Sequence, residues 1–179
     1  NLTVVNLTDL GDSTVLSDYP TSNDGSSTSL RIDSDSPQHR SYLSFNTSVI
    51  PANVSVERAE VCAYVNYLNT ETDVNYYWVN GTFSESGITW NNQPCGTTFS
   101  TTICPYESVE TLSAATPFWQ CWSAVDMVNN SLNKGDHVYS VLRAANEGSG
   151  VNQLTFHSKE NTYDPYLNFA YTLLDTPDP

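Results

Sequence analysis

The sequence predicts an all-β fold, two antiparallel sheets packed face to face from about ten short strands, with one short helix. Three observations carry that prediction. Short stretches of alternating β-branched and aromatic residues recur along the whole chain. Turn clusters rich in Gly, Pro, Asn, Asp and Ser separate them at regular spacing. The 179 residues suit one domain with room for a proper core, and neither a repeat nor a linker divides them.

In chain order, residues 1–9 (NLTVVNLTD) read as an extended, strand-like arm, a possible donor strand for a neighbour's open sheet edge. The sandwich body spans 10–174. Its strands are expected at STVLSD (13–18), STSLRID (27–33), RSYLSF (40–45), AEVCAYVNY (59–67) and DVNYYWV (73–79). FWQCWSAV (118–125), HVYSVLRA (137–144), NQLTFHS (152–158) and PYLNFAYTLL (165–174) follow. SAVDMVNNSL (123–132) reads as a helix of about two turns, with Val125, Val128 and Leu132 on one face and the NKG that follows ending it. DTPDP (175–179) is a Pro-rich, acidic tail.

Charge removes several functions. Six Lys and Arg against 20 Asp and Glu leave a formal net charge of -14, so there is no basic patch to displace counterions from nucleic acid or to hold an anionic membrane. No run of about 18 apolar residues spans a bilayer. Ser, Thr and Asn dominate the polar residues, and the 11 Tyr and 4 Trp point to a secreted β protein. The chain starts at Asn1 and not at Met, which reads as a mature chain with its targeting segment removed, or as an arbitrary boundary. Sequons at Asn1, Asn6, Asn46, Asn53, Asn80 and Asn129 agree with export and N-glycosylation.

The four cysteines allow three pairings. None forms a CxxC and no His stands at metal-ligand spacing, which disfavours zinc. A Cys95–Cys104 staple across PCGTTFSTTICP is the economical choice and leaves Cys62 with Cys121; two buried free thiols are the alternative.

NDGSSTSLRIDSDSPQHRSYLSFNTSVIP, then AEVCAYV, then SESGITWNNQP form a pattern that resembles the DNRLRE, or disaggregatase-related, modules, which are similar to a family of carbohydrate-binding modules. Asp12 matches the family's opening Asp, Gly25 to Ser27 its turn, Leu30 to Asp33 and Arg40 to Phe45 its next two strands, and Thr89 to Pro94 its Thr-Trp-Asn-Asn-x-Pro. Ser158 to Glu160, with Pro165 and Leu167, match its closing motif. Lys159 stands where the family commonly has Arg, and Asp24 replaces a Tyr; the cysteines and the 95–104 loop are local additions. The resemblance covers roughly 10–172 and implies a jelly-roll-like sandwich and a non-catalytic module.

No nucleophile, metal or phosphate-binding motif occurs, so the chain is expected not to be an enzyme. Trp90 in TWNNQP is weighed as a sugar platform or a core plug, and the plug is favoured, with the asparagines serving the turn backbone. Surface aromatics for glycan binding are sought in the two aromatic-rich strands. Tyr76 and Trp78 share one face of the first; in the second, Trp119 lies opposite Trp122. A structural calcium ion, with Asp12, Asp126 and Asp164 as ligands, is a composition-level expectation, and no cofactor is required. Two functions remain: a surface structural or adhesive subunit that polymerises head to tail through the arm, and an extracellular polysaccharide-binding module. The first is slightly favoured.

Overall fold

The computed structural model describes residues 1–113, 115–132 and 137–175. Among these described residues, eleven strands and one helix follow in the order β1 Leu2–Thr8, β2 Gly11–Leu16, β3 Ser29–Asp33, β4 His39–Asn46, β5 Val54–Leu68, β6 Thr72–Trp78, β7 Tyr106–Leu112, β8 Phe118–Ser123, α1 Val125–Ser131, β9 His137–Ala144, β10 Gln153–His157 and β11 Tyr166–Leu173. All pairings are antiparallel. Along the curled sheet the order is β1-β11-β5-β10-β3-β4-β9-β6-β7, with β2 on β4 and β8 on β5. This is the all-β sandwich that the alternating pattern predicts.

The expected strands and the helix are present, with bounds shifted by a few residues. The NKG stop of the helix lies outside the described residues. Strand β7 (YESVETL) was not anticipated. It is an edge-side strand with only Leu112 in the core, so its sequence carries no apolar alternation. β5 runs 15 residues, well beyond the predicted nine, because its exposed Glu57 and Arg58 hide the first part of a strand that β11 pairs from Val54 to Cys62. The arm is β1. It lies on the chain's own β11 over seven register pairs, from Leu2 opposite Thr172 to Thr8 opposite Tyr166.

The core lies between the two faces of the curl. Val61, Ala63 and Val65 of β5, Leu167 and Phe169 of β11 and Trp122 of β8 pack against Leu43 and Phe45 of β4, Leu142 of β9 and Tyr76 of β6. Each such fully buried side chain contributes roughly 1.5–3 kcal/mol of transfer free energy. A second core sits on the outer side of β4, β9 and β6. There Tyr42, Tyr77 and Val141 are covered by the loop 79–105, through Ile88, Trp90 and the buried Cys95–Cys104 disulfide. The expected staple is therefore formed, inside an apolar layer.

Arg40 of β4 fastens this loop. It is 1 % exposed, and all five guanidinium N–H groups are used. Nε and Nη2 donate to the Glu147 carboxylate at 2.8 and 2.5 Å. Nη1 donates to Gln93 Oε1 at 2.9 Å and to the Gly96 carbonyl at 2.8 Å, and Nη2 to the Thr97 carbonyl at 3.0 Å. The guanidinium lies 4.4 Å from the centroid of the Trp90 ring, a cation–π contact. Trp90 is thus the core plug: it roofs a buried cation. Asn92 holds the turn, accepting from the Thr89 N–H and donating to the Gly87 carbonyl.

Arg40→Met leaves Glu147, itself 3 % exposed, facing Arg143 alone. Unfolding in urea is expected to show a loss of about 3–5 kcal/mol, since removing one partner of a buried ion pair strands the other. Arg40→Lys also loses stability, because an ammonium cannot reproduce the five-donor fork. A loss below about 1 kcal/mol for Arg40→Met would show that the loop is held by other contacts.

Candidate functional site

Alternation on β5 and β8 sends Ala59, Val61, Ala63 and Val65, with Phe118 and Trp122, toward the core. The opposite face carries Glu60, Cys62 and Tyr64 of β5 and Trp119 and Cys121 of β8. The register pairs Cys62 with Cys121 and Tyr64 with Trp119. Cys62 and Cys121 are bonded across the two strands with their Cα atoms 4.0 Å apart, the second expected disulfide. Tyr166 of β11 pairs with Cys62 from the other side.

Around this disulfide the outer face gathers five rings. Tyr64 contacts Trp119 at 5.3 Å between centroids, His157 of β10 at 4.9 Å and Tyr163 at 4.4 Å. Trp119 also contacts Tyr166 at 5.2 Å and Tyr163 at 6.3 Å. His157 stacks on Tyr163. Trp119 and Tyr163 remain 41 % and 46 % exposed, enough to offer ring faces to solvent. The rings are not coplanar. Trp119 and Tyr163 meet at 78°, so the surface is a corner and not a flat strip.

Tyr163 comes from the β10–β11 loop, and that loop is bolted down. The Lys159 N–H donates to Asp12 Oδ2 at 2.8 Å, Ser158 Oγ to the Ser27 carbonyl at 2.6 Å, and Asn161 Nδ2 to the Thr28 carbonyl at 3.0 Å. The Asp9 N–H donates to the Pro165 carbonyl. The Lys159 ammonium lies 2.8 Å from both Glu85 Oε1 and Glu160 Oε1. Gly25 is fixed here by close approach, since a Cβ would collide with the Glu85 carbonyl. The matched opening and closing motifs therefore meet, and Lys159 does by two ion pairs what a guanidinium would do by its fork.

The other expected site residues fall elsewhere. Tyr76 and Trp122 are fully buried, and this corrects their reading as surface aromatics. The Tyr76 hydroxyl donates to Met127 Sδ at 2.9 Å and the Trp122 indole N–H to the Val74 carbonyl at 3.0 Å. β6 is aromatic on both faces because both are covered, one by the sandwich and one by the loop 79–105. Trp78 is half-buried and lines a separate cleft of about 250 Å³ with Asn80, Thr82, Met127, Asn130 and Tyr139. Trp119 alone of the four belongs to the outer ring cluster. Tyr64 and Tyr163 were missed. Tyr64 was legible in principle, because a 62–121 bridge between antiparallel strands places 64 opposite 119; Tyr163 needed the loop's path.

Asp12 does gather carboxylates, but its companions are Glu85 and Glu160, not Asp126 or Asp164. Asp126 lies in the first turn of α1, where its own N–H and that of Met127 are held by the Glu107 carboxylate. In the other cluster of metal-type residues, Glu60 with Cys62 and Cys121, both sulfurs are spent in the disulfide. The six sequon asparagines are all exposed.

Burial pushes the Asp9 carboxyl up, helped by the neighbouring Asp12 charge, and raises Asp12 itself to about 6. Burial likewise raises Glu107 to about 7 against two N–H donors that lower it. Burial lowers His39, but the carboxylates of Asp33 and Asp18 outweigh it and the ring ends above its ordinary value. All four bind protons more tightly when folded, so the stability they contribute is full at low pH and is lost as pH rises through the folded values. The melting temperature is expected to be higher at pH 5 than at pH 8, and Asp9→Asn, a permanently neutral side chain, to narrow that gap. An unchanged gap in the variant would remove Asp9 from the account.

A search of the curated proteins finds no match. The family description of carbohydrate-binding module family 96 matches residues 3–171, from the arm to the last core strand. The chain therefore belongs to carbohydrate-binding module family 96.

Proposed function

We propose that the chain is a non-catalytic carbohydrate-binding module of an exported surface protein, and that it holds extracellular polysaccharide at the outer ring cluster centred on Trp119. The observation that carries this reading is the solvent-open corner of Trp119 and Tyr163, backed by Tyr64, Tyr166 and His157, on a β-sheet face of a family 96 module. Indole and phenol faces receive the C–H face of a pyranose, and a rigid bed lowers the entropy cost of holding it. The bed is rigid on two counts: a disulfide lies beneath the rings, and the loop carrying Tyr163 is tied to Asp12, Ser27 and Thr28.

Two disulfides and six exposed sequons support an oxidising, extracellular setting and N-glycosylation. Among the described residues no helix is long and apolar enough to cross a membrane. The converging carboxylates Asp12, Glu85 and Glu160 are engaged by Lys159, which suits anchoring more than acid–base work on a glycosidic bond. A filament built by strand addition is the less favoured reading. The strand it would donate lies on its own β11, and assembly would require that seven-pair ladder to be exchanged between copies.

Affinity electrophoresis on a panel of soluble polysaccharides tests the site. Trp119→Ala is expected to weaken retention by about tenfold or more, the loss typical of an exposed aromatic anchor. Trp78→Ala should leave it unchanged. The reverse pattern would move the site to the cleft beside α1.

A further inference from the structure

We infer that Asn80 carries an N-linked glycan whose first sugar fills the cleft beside α1, so that this cleft receives the chain's own carbohydrate. The inference rests on the N-glycosylation reading above and singles out one of its six sequons.

Local chemistry is the first ground. Trp78-Val79-Asn80-Gly81-Thr82 contains a complete acceptor triplet, with Gly after the asparagine and Thr at the hydroxyl position. β6 ends at Trp78, and Asn80, Gly81 and Thr82 are exposed and belong to no strand or helix. The backbone beneath them is fixed. The Val79 N–H donates to the Tyr139 carbonyl at 2.7 Å and the Asn80 N–H to the Ile103 carbonyl at 2.8 Å. Other sequons are less open. Asn6 Oδ1 accepts from Asn168 Nδ2 at 2.6 Å, and Asn46 Oδ1 from the Ser48 N–H at 2.9 Å. The triplet at Asn53 runs straight into β5 through the buried Val54. Ser131, the hydroxyl residue of the Asn129 triplet, is buried and donates to the Val128 carbonyl at 2.7 Å.

The cleft is the second ground. Asn80 lines a cavity of about 250 Å³ together with Trp78, Met127, Tyr139, Asn130 and His137. Apolar and aromatic surface thus faces hydrogen-bonding amide and imidazole groups. A pyranose carries the same mixture, a C–H face and a hydroxyl rim. A sugar joined to Asn80 Nδ2 is tethered at the cleft, so its entry is intramolecular and escapes most of the entropy cost of association. Covering the cleft-facing part of Trp78 with the C–H face removes apolar surface from water. The cleft shares no residue with the ring cluster at Trp119, so the two carbohydrate contacts are separate.

The modification requires an oligosaccharyl transferase and a lipid-diphosphate-linked oligosaccharide. The bond from Asn80 Nδ2 to sugar C1 forms, the C1–O bond to the diphosphate breaks, the lipid diphosphate leaves and an Nδ2 proton passes to a base of the transferase.

The test uses the whole chain secreted from an N-glycosylating yeast and trimmed by an endoglycosidase that leaves a single N-acetylglucosamine at each filled site. Glycopeptide mass spectrometry reads occupancy, and Asn80→Gln and Thr82→Ala each remove the sugar at Asn80. Asn80 is expected to be filled in most molecules, and the parent to melt about 2–4 °C above both variants. Asn53→Gln should leave the melting temperature where it is. In a Trp78→Ala background the Asn80→Gln gap should close, and in the parent the sugar protons at Asn80 should move upfield in the NMR spectrum under the indole ring current. Filled sequons elsewhere with Asn80 empty would overturn the assignment and leave the N-glycosylation reading standing; no filled sequon at all would overturn both. A filled Asn80 with a gap below about 1 °C, or a gap that survives Trp78→Ala, would overturn the docking of the sugar in the cleft. Should Trp78→Ala not fold, the NMR shift decides: unshifted sugar protons overturn the docking.

Discussion

The buried guanidinium of Arg40 is the constraint on which much of this structure depends. A charge at 1 % exposure is tolerable only when every donor finds an acceptor, and Arg40 finds five. Two of those acceptors are backbone carbonyls of the loop 79–105, and a third belongs to Gln93 of the same loop. The loop therefore closes onto β4, with Trp90 as its roof. The consequence reaches the whole sandwich. Three central strands, β4, β9 and β6, become buried on both faces, and their outer aromatic residues turn into a second core. That surface is lost to ligands.

A second fastening joins the β1–β2 junction to the β10–β11 loop. Asp9 and Asp12 stand at the junction of β1 and β2, and Lys159 and Glu160 open the loop that delivers Tyr163. Their hydrogen bonds and ion pairs join the first strands of the chain to the last loop. Both family motif pairs thus do structural work: Arg40 with Trp90 and Gln93, and Asp12 with Lys159 and Glu160. Of the ring cluster, Tyr64 lies in the AEVCAYV segment of the family pattern, and Trp119, Tyr163 and Tyr166 lie outside its quoted motifs. A packed scaffold carrying a separately composed surface is a common division of labour, because packing constrains the first and the ligand constrains the second.

The cross-strand disulfide links these two levels. On the open face of a sheet, large aromatic rings have no opposing layer to hold them. Cys62–Cys121 joins β5 and β8 directly beside Tyr64 and Trp119, and the rings then brace one another edge to face. Geometry that would be loose on two independent strands becomes a fixed corner.

Local periodicity was sufficient for the fold class, nearly every strand and the helix at 125–131, because those signals repeat every two residues in a strand and every three to four in a helix; the Cys95–Cys104 staple was read from its short loop and left Cys62 for Cys121, with free thiols as the alternative that the structure removes. The role of Trp90 was also legible, since Asn92 and Pro94 announce a turn that an indole can plug. Two things were decided only by the tertiary structure. One was which face of an aromatic strand meets water: Tyr76 and Tyr77 alternate correctly, yet both are buried, because the loop that follows the strand folds back over its second face. The other was which carboxylates and rings converge. Asp12 meets Glu85 and Glu160, and Trp119 meets Tyr163, across separations of 44 to 148 residues that sheet register and loop paths set and no local pattern records.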